Sequence, residues 1–169
     1  YCARLTLHPM IRKSTALHPL LALLLCFPVL RNPTRFLLGD ERVDVWNHAW
    51  GPWWWADSFR RGVLPYHTDL LQWPQGGSLY FIDPLLAALG APLALLSPAL
   101  AWNVVLFLYV AFASWAVHRF ARSLGASDRS AVLASITVVC SAWMVSELHN
   151  GISEAVNIGP AALALSFVE

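Results

Sequence analysis

The run AWNVVLFLYVAFASWAV, residues 101–117, carries no charge anywhere along its length. A helix of this composition has no polar face to give to water, so it is either enclosed by protein or placed in lipid. The choice turns on how much charge the rest of the chain can offer solvent. Only 12% of the 169 residues are charged and 57% are hydrophobic, whereas about a quarter of an ordinary soluble domain is charged. The chain therefore reads as an all-α, polytopic membrane protein, since helices satisfy their own backbone in lipid.

About four spans are expected, at residues 16–32, 101–117, 131–147 and 155–169, in a single transmembrane domain over residues 1–169. The chain opens YCAR without a Met and stops inside an apolar run, so it reads as a fragment. Residues 84–100 are apolar too, but Pro84, Pro92 and Pro98 each delete a backbone donor. That segment is expected to be re-entrant or interfacial. Arg4, Arg12 and Lys13 precede the first span, and Arg119, Arg122 and Arg129 follow the second against Asp128 alone. Both sides read as cytoplasmic, which makes this a multi-pass cell-membrane protein with a cytoplasmic N-terminus and a long outer loop at 33–83. A net charge of +1 leaves no nucleic-acid footprint. Cys2, Cys26 and Cys140 have no metal-ligand spacing.

The outer loop holds the densest chemistry, in GDERVDVWNHAWGPWWWADSFRRG (39–62). A helix over 40–50 would set Asp40, Asp44 and His48 at four-residue intervals on one face. Gly51 and Pro52 would end it, with Pro52 opening a second helix through Arg61 and Gly62 taking a left-handed cap. Six of the nine Trp fall in this loop, at 46, 50, 53, 54, 55 and 73. They predict two amphipathic helices at the interface, holding Asp40 and Asp44 at its edge. Simpler roles compete: Asp40 as a helix cap, Trp53–Trp55 as anchors only, His48 as a hydrogen-bonded structural group. Asp44, among Val43, Val45 and Trp46, is expected to face a protein cleft, because lipid would be costly for it. On the same outer face, HNGISE (149–154) is expected to border the site.

GDERVDVWNHAW, the following helix to RRGVLPYHTD, WPQGGSLY and the DPLLAALGAP run together resemble the first outer loop of the C-type membrane glycosyltransferases. These polyprenyl-phosphate-dependent enzymes include protein mannosyltransferases, aminoarabinose transferases and oligosaccharyltransferases. The resemblance implies a catalytic acid just after the first span. Asp40 with Glu41 is similar to the D-E form, and Asp44 in DVWN to the oligosaccharyltransferase form; no K-P-P stretch follows the loop, unlike the aminoarabinose group. It further implies inverting transfer, at the outer face of the cell envelope, of a sugar from a polyprenyl-phosphate donor, with membrane lipids as the other partner.

Such a transfer needs a carboxylate to take the acceptor's proton and positive charge to stabilise the leaving phosphate. Asp44 and Asp40 are the catalytic candidates; Glu41, His48, Arg60, Arg61, His67 and His149 are the candidate substrate or phosphate contacts. Either no cofactor is needed or a divalent cation, Mg or Mn, sits on Asp40 and Asp44. Two other classes stay open. A transporter or channel would use the Pro-interrupted segment and the intramembrane Asn103 and Ser135, and a non-catalytic scaffold would keep only the packing.

Overall fold

The computed structural model describes residues 16–70, 74–78 and 83–168. Arg4, Arg12, Lys13 and Trp73 lie outside them. Among the described residues the architecture is all-α apart from one small hairpin. In chain order the helices are α1 (Leu17–Leu25), α2 (Phe27–Leu30), α3 (Val45–Arg60), α4 (Pro84–Ala94), α5 (Pro98–Ser123), α6 (Asp128–Val139), α7 (Ala142–Asn150), α8 (Ser153–Val156) and α9 (Gly159–Leu165). Between α3 and α4, β1 (His67–Thr68) pairs antiparallel with β2 (Gly77–Ser78), His67 opposite Ser78.

The long apolar run lies inside α5, the axis against which α1, α4, α6 and α9 pack. Ser97 caps it by accepting the Leu100 N–H, and Pro98 occupies the first turn, where its missing donor is not needed. Its 26 residues reach about 39 Å, beyond the ~30 Å hydrocarbon core. Trp102, Leu106 and Val110 are fully enclosed along it. Where α3, α4 and α5 meet, the contact is built from Ala56, Ala91, Ala94 and Ala101, small side chains that let backbones approach closely.

The other expected spans come out divided. Residues 131–147 fall on α6 and α7, bent by 43°. Ser141 begins a new helix in mid-run because its hydroxyl accepts the Met144 N–H. Residues 16–32 divide at Cys26 into α1 and α2, and the described part of the last span, residues 155–168, holds the end of α8 and the seven-residue α9. Among the described residues one helix, α5, is long and apolar enough to cross a membrane alone, or two if the bent pair counts as one. Within residues 84–100, Pro84–Ala94 form the 11-residue α4, capped by Asp83 and opened by Pro84, and a break at 95–97 separates it from the start of α5.

Two further expectations are corrected in residues 33–83. Helix formation starts at Val45, not Asp40, and runs through Gly51 and Pro52 as one helix. An interior proline frees the carbonyl four residues back, here that of His48. Pro52 is buried, and a Cβ at Gly90 would lie 2.9 Å from its ring, so α4 seats the proline where only glycine leaves room. Gly62 takes φ +68 as expected, with Val63 N–H bonded to the Ser58 carbonyl and Gly62 N–H to that of Phe59, closing α3 in a Schellman motif. The Trp residues do not all face outward either. Trp54 is 2% exposed and stacks on Trp50 at 5.4 Å and 8°, whereas Trp46 is 58% exposed.

α5 also anchors the connection from α2. Asn103 Oδ1 accepts the Leu38 N–H at 2.9 Å, and its Nδ2 donates to the carbonyls of Pro33 and Phe36. Trp102 Nε1 donates to the Leu38 carbonyl at 2.8 Å. The buried polarity of Asn103 is spent on backbone that has no secondary structure of its own.

Candidate functional site

The loop from Gly39 to Asp44 follows that anchored segment and lies against the end of α7. Asp40 N–H donates to the His149 carbonyl at 2.8 Å. Gly151, at φ +74, brings its Cα so close to Val45 that a Cβ there would lie 2.6 Å from the Val45 Cα. HNGISE therefore meets the acidic loop, and two polar segments more than a hundred residues apart in sequence form one surface.

The carboxylates on this surface differ in their attachments. Asp40 Oδ1 accepts from the Arg42 backbone N–H at 3.0 Å and from Arg42 Nε at 3.1 Å, and Oδ2 accepts from Nη2 at 3.0 Å. Hydrogen bonds from the Arg42 side chain, then its backbone, hold the Asp40 carboxyl below the usual range, and nearby His149 adds to this; the same pairing raises Arg42. Glu41 is exposed and its carbonyl accepts from Trp46 Nε1. Asp44 is exposed at the start of α3, makes no capping bond, and its carboxylate accepts a single 3.3 Å contact, from Asn47 Nδ2. The expected single face of Asp40, Asp44 and His48 is therefore corrected: Asp40 precedes the helix, Asp44 points outward and His48 inward. The cleft expected around Asp44 is not formed, because its side chain sits at the exposed helix start.

Behind this surface lies a buried network that sequence reasoning only grazed. Asp83 Oδ1 accepts from the Leu86 N–H at 2.8 Å and from the Tyr109 hydroxyl at 3.2 Å. Its Oδ2 accepts from Ser153 Oγ at 2.8 Å. Ser153 Oγ is 3.2 Å from His48 Nδ1, which is also 3.3 Å from Glu154 Oε2. A carboxylate only accepts, so Ser153 spends its single proton on Asp83 and accepts from His48 Nδ1–H. The network thus places a proton on His48 Nδ1. Asp83 ends the 33–83 loop, Tyr109 lies within the uncharged 101–117 run and Ser153 within HNGISE, and none is singled out by its local sequence. The usable signal was the Asp-Pro pair, a capping acid aimed into an otherwise apolar helix bundle.

Three expected contacts are not gathered here. Arg60 and Arg61 close α3, about 24 Å along the helix from Asp44. Arg61 there pairs with Asp57 at 3.0 Å and lies over the Trp54 ring. His67 sits in the hairpin, 3.5 Å from Asp69. Among the described residues no group of three or more His, Cys, Asp or Glu is placed to hold a metal ion, and both Asp40 oxygens are already engaged by Arg42. Comparison with protein-family models, curated proteins and solved structures finds no match.

Proposed function

We propose that this is a membrane glycosyltransferase that moves a sugar from a polyprenyl-phosphate donor to an acceptor at the outer face, with Asp44 as the reacting carboxylate. The observation that carries the reading is the meeting of the Asp40–Asp44 loop with HNGISE near the N-terminal end of α5. Exposed acids stand there beside an imidazole-bearing segment, while Arg119 and Arg122 lie at the other end of the same helix. His18 on α1 packs near Ser114 and His118, which sets the start of α1 at the arginine-bearing end. Exposed Leu20, Leu24, Leu89, Leu108, Trp115 and Leu133 give the helices apolar outer faces suited to lipid.

Of the two acids Asp44 is the better base. Asp40 has both oxygens tied to a guanidinium, which favours its ionised form and weakens it as a proton acceptor, whereas Asp44 has lone pairs to spare. His149, exposed beside the acidic loop, is the nearest imidazole for the phosphate, and any Mg or Mn would bind through Asp44 with donor oxygens. The test is to supply membranes holding the intact protein with a polyprenyl-phosphate-linked sugar and to measure released polyprenyl phosphate, with and without added Mg²⁺ or Mn²⁺. Release that depends on the protein is expected. No release across a panel of donors and acceptors, together with protein-dependent solute flux in sealed vesicles, would overturn the reading in favour of transport.

A further inference from the structure

A second line of polar side chains runs through the arginine-bearing end of α5, away from the acidic loop. His18 on α1 is 3% exposed. Its Nδ1 lies 2.8 Å from Ser114 Oγ on α5, which lies 2.7 Å from Ser135 Oγ on α6, and Ser135 Oγ donates to the Ser114 carbonyl at 2.9 Å. Each hydroxyl has one proton to give. Ser135 gives its proton to the carbonyl, so its oxygen accepts from Ser114; Ser114 has then spent its own, so its oxygen accepts from His18 Nδ1–H. Neutral His18 is thereby fixed with a bare lone pair at Nε2, an atom that is buried and has no partner. A buried polar atom left unsatisfied in this way calls for a physical account.

The ring beside it supplies one. His118 has its ring centre 5.4 Å from that of His18, tilted by 39°. Its Nε2 lies 3.2 Å from Asp128 Oδ1, an acceptor, so the proton of neutral His118 is at Nε2 and its bare nitrogen is Nδ1. Two adjacent imidazoles therefore each keep an unprotonated nitrogen. A hydrogen bond of ~2.9 Å between facing ring nitrogens, plus ~1.2 Å from each to its ring centre, spans ~5.3 Å, so at 5.4 Å the rings need only turn, not approach, to bring the unpartnered His18 Nε2 onto His118 Nδ1.

We propose that His18 and His118 form one proton-binding site, in which a single added proton bridges the two rings and fastens α1 to α5. The proton binds His18 Nε2 and is donated to His118 Nδ1, completing an unbroken line from the Asp128 carboxylate to the Ser114 carbonyl. Asp128 offsets the added charge. It is the sole carboxylate on α1, α5, α6 and α9, and α1 and α9 carry no charged residue. On α5, Arg119 is turned to Ser166 and the Phe167 ring, and Arg122 to the Ala126 carbonyl; Arg129 is exposed on α6. A second proton would set two cations side by side against one carboxylate, so the pair takes up one proton and resists the next.

The test uses the intact protein, labelled with ¹⁵N-histidine in lipid nanodiscs, because ring ¹⁵N shifts separate protonated from bare nitrogens. At alkaline pH, His18 should show a protonated Nδ1 and a bare Nε2. On acidification the His18 and His118 signals should move in one common step. His118→Gln should remove that step from His18. Asp128→Asn, at an exposed carboxylate, should shift it to roughly tenfold higher proton concentration, about one pH unit. Unchanged His48 signals serve as the check on folding, and if His118→Gln fails it, Asp128→Asn decides alone. A His18 protonated at Nε2 with a bare Nδ1 at alkaline pH, or a His18 step indifferent to Asp128→Asn, would overturn the proposal.

Discussion

Asp40 and Asp44 stand four residues apart and are held in opposite ways, one clamped by Arg42 and one nearly free. If Asp44 takes the acceptor's proton, Asp44→Asn keeps shape and removes the base, so turnover should fall by a factor of about 10² or more while protein abundance holds. Asp40→Asn should cost less; a larger loss there, in the same release assay, would move the mechanism to the D-E pair. The Arg42 clamp has its own signature. Because the Asp40 carboxyl is depressed, its contribution to stability is present above the unfolded-state value of ~3.9 and fades as pH falls through the lower folded-state value. In a carboxyl ¹³C titration Asp40 should still be ionised near that value, and Arg42→Gln should raise its midpoint. Asp83 tests the interior: Asp83→Ala strands the donors of Leu86, Tyr109 and Ser153, and should cost on the order of 3 kcal/mol or more in thermal unfolding, given about 1–3 for each group left unsatisfied. Sequence reasoning reached Asp40, Asp44, His48 and His149 because polar residues stand out in an apolar chain. It did not reach Asp83, Tyr109 and Ser153 as a group, since each has an ordinary local role and only the packing of α3, α4, α5 and α8 brings them together.

At the scale of elements, what was legible followed from local chemistry. Gly62 ended its helix because a left-handed position suits glycine, whereas Pro98, expected only to interrupt an apolar segment, opens α5 in its first turn with Ser97 as the cap. Pro52 was misread because its usual effect, stopping a helix, is overridden by a partner on another element. Gly90 shows that dependence directly. Gly90→Ala would press a methyl onto the Pro52 ring, a rigid neighbour, and should destabilise by about 1–3 kcal/mol as α3 and α4 are forced apart. Adding Pro52→Ala should recover part of that loss if the clash is its cause, which a double-mutant cycle by thermal unfolding would read. The bend at Cys140 and Ser141 escaped for a related reason: hydropathy is continuous there, and a single hydroxyl bound to the Met144 N–H starts the new helix.

Across the whole molecule, α5 sets a polarity, with the acidic loop and HNGISE toward its N-terminal end and His118, Arg119 and Arg122 toward the other. In a background without native cysteines, single cysteines at Leu64 and Ser127, both exposed, should respond oppositely to an impermeant thiol reagent added outside cells. Labelling at Leu64 alone is the expected outcome; labelling at Ser127 would invert the orientation and remove the outer-face transfer with it.

The ties from Asn103 and Trp102 back to Leu38 also impose an order in time. Asn103 lies 65 residues downstream of Leu38, and Ser114, which holds His18, lies 96 downstream of it. At ~5–20 residues per second of synthesis, the connection after α2 waits roughly 3–13 s for the side chains that complete its backbone pairing. For that interval α1 lacks the α5 surface that holds His18, and the connection after α2 lacks its Asn103 and Trp102 anchors. Until α5 arrives, the Leu38 N–H and the carbonyls of Pro33, Phe36 and Leu38 must find other partners.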